Sequence, residues 1–142
     1  MVEYSDPDWV NHIGGLPRIR KLTVKGGQIN DSVLRQIGKL KHLEEFALFG
    51  QDSTNGGFTK LHAEVSNAGI TELVRCKTLR DIYISLVDLN DESLEHLTTL
   101  PNLKRLEVNG EFTDIGVESI KKRLPNATII VKPHYLVPKN GE

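Results

Sequence analysis

Four sets of apolar residues recur along the chain at a fixed spacing: Ile19, Leu22, Val24; Leu43, Phe46, Leu48; Leu79, Ile82, Ile84; and Leu103, Leu106, Val108. Each set has the form apolar-x-x-apolar-x-apolar, and the starts at 19, 43, 79 and 103 lie 24, 36 and 24 residues apart. A period of roughly twenty to fifty residues marks a solenoid, because one unit cannot bury its apolar face without a neighbour. The same register assigns each side chain to the core or to the surface.

The second half of each repeat keeps that register. Asp31 is followed by Leu34, Ile37 and Leu40; Asn67 by Ile70, Leu73 and Cys76; Asp91 by Leu94, Leu97 and Leu100; and Asp114 by Val117, Ile120 and a late Leu124. An Asp or Asn three residues ahead of an apolar stripe reads as a helix N-cap, its side-chain oxygen accepting the first free backbone N–H groups. The spacing thus predicts caps at Asp31, Asn67, Asp91 and Asp114, each opening a short helix or 3₁₀ segment docked on the core.

Leu103-Lys104-Arg105-Leu106-Glu107-Val108 resembles the LxxLxL strand of leucine-rich repeats. Ile29-Asn30-Asp31 and Phe112-Thr113-Asp114-Ile115-Gly116-Val117 resemble the "I-T-D-x-G-L" half of the bacterial and cysteine-containing subclasses. The resemblance spans about residues 5 to 131. It implies an α/β fold, a leucine-rich repeat solenoid with a short curved parallel sheet on the concave side and helices on the convex side. It also implies protein binding much more often than catalysis.

Length and composition agree with one domain over residues 1–142: a helical cap at 1–18, four repeats at 19–126 and a closing strand and tail at 127–142. Lys and Arg number 18 against 19 Asp and Glu, a near-neutral balance that argues against nucleic acid or an anionic membrane as partner. The longest apolar runs, such as Thr128-Ile129-Ile130-Val131, fall far short of a bilayer span. The acidic start, Met1 to Asp6, has no apolar stretch after it and is not expected to act as a secretory signal. The single cysteine, Cys76, falls on the core stripe and reads as a buried structural thiol in a reducing, cytoplasmic setting.

Terminal repeats of a solenoid need lids. Val10, Ile13 and Leu16 extend the helical register backwards, with Ser5 or Asp6 as cap, Pro7 in the first turn and Trp9 as a cover for the first core layer. At the far end Ala127 and Ile130 continue the strand register at the 24-residue spacing, and Ile129 and Val131 make that strand apolar on both faces. Residues 132–138 are expected to fold over the last edge, with Pro133 and Pro138 discouraging further strand addition. A monomer is expected; the alternative is a dimer through Tyr135, Leu136 and Val137.

One irregularity points to function. From Leu48 to Val65 is 17 residues, whereas the equivalent Val24 to Ile29 is 5, so the second repeat carries 12 extra residues within 50–64. They leave the chain directly after a strand, where solenoid insertions often serve binding. Within them Asp52, Phe58 and His62 are candidate contacts. Strand alternation gives the rest of the predicted face: Lys21, Thr23, Lys25; Glu45, Ala47, Phe49; Asp81, Tyr83, Ser85; and Arg105, Glu107, Asn109. One row reads Lys21, Glu45, Asp81, Arg105, with acids inside and bases outside. Phe49 and Tyr83, on neighbouring strands, form an aromatic centre of the kind found at protein hot spots.

Catalytic patterns are weak. His12, His42, His62, His96 and His134 include no His-x-x-x-His pair, and one cysteine cannot supply a zinc pair. Gly14-Gly15, Gly26-Gly27 and Gly56-Gly57 lack the context of a phosphate loop, and no Gly-x-Ser-x-Gly elbow occurs. No metal, cofactor or catalytic residue is therefore expected. The reading is a protein-binding adaptor or complex subunit. Its alternative is a cytosolic inhibitor or immunity-type protein that blocks one cognate enzyme; an enzyme is disfavoured.

Overall fold

The computed structural model describes residues 13, 18–25, 29–49, 65–85 and 89–132. Most of the expected N-terminal cap (Trp9 included), the glycine pairs, the insertion at 50–64 and the tail at 133–142 lie outside the described residues. Strands and helices alternate in the order β1 (Lys21–Lys25), α1 (Asp31–Ile37), β2 (Glu45–Phe49), α2 (Asn67–Leu73), β3 (Asp81–Ser85), α3 (Asp91–Leu97), β4 (Arg105–Asn109), α4 (Asp114–Arg123) and β5 (Thr128–Lys132). The strands form one all-parallel sheet in the order β1-β2-β3-β4-β5. Each strand therefore lies beside its predecessor in the chain, and each helix is the crossover that parallel pairing requires.

The apolar sets fill the layer between sheet and helices. Leu22, Phe46, Ile82 and Leu106 are register partners across β1 to β4, as are Val24, Leu48, Ile84 and Val108, and all are at most 2% exposed. Leu34, Ile37, Ile70, Leu73, Leu94 and Leu97 meet them from the helices. Ile13, at 1% exposed, sits in the core where the backward extension of the register places it.

Backbone bonds lock the units before each strand begins. Glu44 N and Glu45 N both donate to Arg20 O, Arg80 N and Asp81 N to Glu44 O, and Lys104 N and Arg105 N to Arg80 O. Nearby, Thr78 Oγ1 donates to Leu43 O at 2.6 Å, and Cys76 Sγ lies 3.2 Å from Leu40 O. Burial pushes the Cys76 thiol above its usual 9.0, outweighing the opposing hydrogen bond with Thr78.

The helix caps fall one residue earlier than the sequence spacing predicts. They are Asn30, Ser66, Asn90 and Thr113, each with extended backbone and a side chain that accepts from the first turn. This releases the residue after the cap for a different task. Asp31 accepts from Ser66 N (2.8 Å) and Ser66 Oγ (2.5 Å), in the cap of the next helix. Asp91 accepts from Thr113 N (2.9 Å) and Thr113 Oγ1 (2.5 Å) in the same way. Between them, Asn67 accepts from Ser93 Oγ at 2.5 Å and donates through Nδ2 to Glu92 Oε2 at 3.0 Å. A lateral ladder thus runs along the helix starts.

The ladder explains two glycines inside helices. A Cβ on Gly69 would collide with the Asp31 carboxylate, and one on Gly116 with the Asp91 carboxylate. Where the reaching residue is Asn67, the facing position is Ser93, which is fully buried and donates to it.

The end of the sheet also differs from expectation. β5 pairs with β4 through Leu106↔Ile129 and Val108↔Val131, so Ile129 and Val131 take the core positions and Ile130 lies opposite Glu107 on the other face. The expected pairing of Ala127 and Ile130 with the core set is one residue out of register. The connection after β4 is short: Val108 to Phe112 is 4 residues, where Ile84 to Leu89 is 5, and the loss carries through to β5.

Two outcomes follow from these contacts. Gly116→Ala should lower stability by roughly 1–3 kcal/mol although alanine is the better helix former, and the loss should vanish in an Asp91→Ala background, as read by urea unfolding in a double-mutant cycle. Cys76 should resist thiol reagents until the protein unfolds. Because its folded-state pKa is raised, the unfolded chain releases the proton first, so stability should fall as pH rises above about 9.0. That alkaline slope should be shallower in Cys76→Ala.

Candidate functional site

Among the described residues, helices cover one face of the sheet and leave the other free of them. On the helix-free face the predicted rows form. Lys21, Glu45, Asp81 and Arg105 are successive register partners, and Thr128 of β5 continues the row. The next row is Thr23, Ala47, Tyr83, Glu107 and Ile130. In the third, Phe49 lies between Lys25 and Ser85, and Asn109 lies opposite Lys132. The loop candidates Asp52, Phe58 and His62 are outside the described residues.

Two ion pairs neutralise part of the face. Lys21 Nζ is 2.9 Å from Glu45 Oε2, and Lys132 Nζ is 3.1 Å from Glu107 Oε1. The hydrogen bond to Glu45, then its charge, hold the Lys21 ammonium above its usual 10.5, so it is charged at neutral pH. Among the described residues, Asp81 and Arg105 take part in no ion pair, although they sit side by side in the middle of the sheet.

Phe49 and Tyr83 are diagonal neighbours, with ring centroids 5.1 Å apart and planes tilted by 40°. The separation lies in the range over which aromatic rings attract, and both residues are half-buried. Beside Tyr83 the small Ala47 leaves a shallow depression of about 240 Å³, bordered by Lys21, Glu45, Asp81, Arg105 and Glu107. Ser85, read from the sequence as a surface position, is only 6% exposed and lies beside Phe49 in the register.

Sequence reasoning missed Lys132, Ile130 and Thr128, because it carried the 24-residue period past β4. A better signal was present. The step from the last core position of a helix to the next strand is constant: Ile37 to Phe46, Leu73 to Ile82 and Leu97 to Leu106 are each 9 residues, and Ile120 plus 9 gives Ile129.

His42 is exposed, and His96 lies 3.7 Å from Glu92 on α3. Among the described residues no cluster of three His, Cys, Asp or Glu side chains can hold a metal ion, and no helix is long and apolar enough to cross a membrane. No family model matches the chain, and no curated protein matches it.

The two faces should respond differently to truncation. Leu106→Ala, which opens a cavity in the core, should cost about 2–5 kcal/mol, whereas Tyr83→Ala should cost about 1 kcal/mol or less beyond its lost ring contact. Thermal melts of the two variants check the register; equal losses would mean that Tyr83 faces the core.

Proposed function

We propose that this chain is a leucine-rich repeat protein that binds another protein through the helix-free face of its sheet, as an adaptor or as a subunit of a complex. Four features of the sequence and fold support the repeat assignment: the LxxLxL-like strands, the alternation of strand and helix, the sequential parallel sheet and the ladder along the helix starts.

The observation that carries the binding reading is the Phe49–Tyr83 pair beside an acid and a base that have no ion pair among the described residues. A paired aromatic centre offers a partner apolar area that is already ordered, so little side-chain entropy is lost on association. Asp81 and Arg105 then supply charges of opposite sign at fixed positions, which sets the register and favours one orientation.

Size limits how the face is used. Five strands about 4.8 Å apart and about 16 Å long make a patch near 300 Å², against roughly 800 Å² per partner in a standard interface. A stable complex therefore has to extend beyond the sheet. The insertion at 50–64 follows β2 directly and carries Asp52, Phe58 and His62, so it is the natural extension.

Affinity capture from cells that express the protein tests this reading, with wild type beside a Phe49→Ala/Tyr83→Ala variant. The expected result is one stoichiometric partner lost from a variant that still melts near the wild-type temperature. A partner retained equally by both proteins would remove the site from this face.

A further inference from the structure

The near-neutral composition conceals an uneven distribution of charge. The connections from α1 to β2 and from α2 to β3 run side by side and enclose a groove of about 420 Å³, lined by Arg35, Lys39, Lys41, Arg75 and Lys77 with Thr78. It lies at the helix ends, away from the Phe49–Tyr83 face. Glu72 sits behind it as a positioning acid, with Oε1 3.6 Å from Arg35 Nε and Oε2 3.2 Å from Arg75 Nη1. The two guanidinium groups are thereby held on the groove wall, while their side chains remain 56% and 71% exposed. Lys39, Lys41 and Lys77 are exposed and form no ion pair among the described residues.

Cations at helix C-termini have an ordinary explanation, since they complement the helix dipole. That explanation calls for them at every unit, and the third unit lacks them. Positions two and four residues past the last core residue of the first three helices are Lys39 and Lys41 after Ile37, Arg75 and Lys77 after Leu73, but Thr99 and Pro101 after Leu97, while α4 carries Lys121, Lys122 and Arg123 in its last turn. What sets the first two units apart is that their bases line one shared groove.

We propose that the groove between the α1–β2 and α2–β3 connections is a docking site for an acidic polypeptide segment, in which successive Asp or Glu side chains of a partner protein meet Lys39, Lys41 and Lys77 between the two arginines. Charge complementarity selects the ligand. The lining contains no aromatic side chain, so it offers no stacking platform for the bases of a single strand. The cluster spans only two units, and Glu72 pairs with both of its arginines, so it is too short a track for the many phosphate contacts of a duplex. The site stands apart from the helix-free face and does not depend on it.

Fluorescence anisotropy with labelled hexaglutamate at low ionic strength tests the proposal. Saturable binding is expected, weakened about tenfold or more by Lys39→Glu/Lys77→Glu and weakened also by added salt. Lys39→Gln/Lys77→Gln, a milder change, should lose about threefold or more and covers the case in which charge reversal disturbs folding. Reversal of Lys121 and Lys122 on α4 should change affinity less than either variant, and Phe49→Ala/Tyr83→Ala should leave it unchanged, which separates this site from the face proposed above. Absence of saturable binding, equal losses on reversal at Lys121 and Lys122, or tighter binding of a short DNA duplex than of the peptide would each overturn the proposal.

Discussion

The spacing of the units rests on one repeated contact: a side chain just inside one helix reaches the start of the next. Burial of leucine and isoleucine drives the layers together, but apolar attraction has no direction and sets no register along the stack. The carboxylate of Asp31 on Ser66, the amide of Asn67 on Ser93 and Glu92, and the carboxylate of Asp91 on Thr113 do have direction. The two carboxylates also satisfy backbone N–H groups at the following helix start, Ser66 N and Thr113 N, and all three contacts run across units rather than within one. At the opposite rim Thr78 bonds to Leu43 O and Asn102 to Lys77 O, so the units are held at both edges of the core.

Much of this architecture was legible in the sequence. Period-24 sets of apolar residues located β1 to β4 and their inward positions, and the rows on the helix-free face followed from alternation alone. What escaped was of three kinds. The caps were misplaced by one residue because Asn30-Asp31 and Asn90-Asp91 offer two capping side chains in succession, and only the neighbouring unit decides which turns inward and which reaches across. The register of β5 was lost because the connection between β4 and α4 is one residue shorter, a change that shifts every later side chain to the other face of a strand. The basic groove was hidden because Arg35, Lys39 and Lys41 are remote in sequence from Arg75 and Lys77, and the 12-residue insertion obscures their equivalence.

The two proposed surfaces differ in kind. Among the described residues the helix-free face carries two ion pairs, Lys21 with Glu45 and Glu107 with Lys132, beside an aromatic pair and the neighbouring Asp81 and Arg105. The binding proposed there would rely mainly on shape. The groove is the reverse: five cations, one acid behind them and no aromatic, so contact there is governed by long-range attraction and is sensitive to salt. A protein with both could be guided by one surface and held by the other.

The ladder also makes the units non-interchangeable. An Asp in the reaching position goes with a hydroxyl cap and glycine in the following helix, as in Asp31 with Ser66 and Gly69 and Asp91 with Thr113 and Gly116; an Asn goes with serine, as in Asn67 with Ser93. Moving one unit to a new place would set a carboxylate against a side chain with no room for it. Lengthening such a protein by duplication would therefore succeed most readily in matched pairs, so that the grammar between neighbours is copied along with the units themselves.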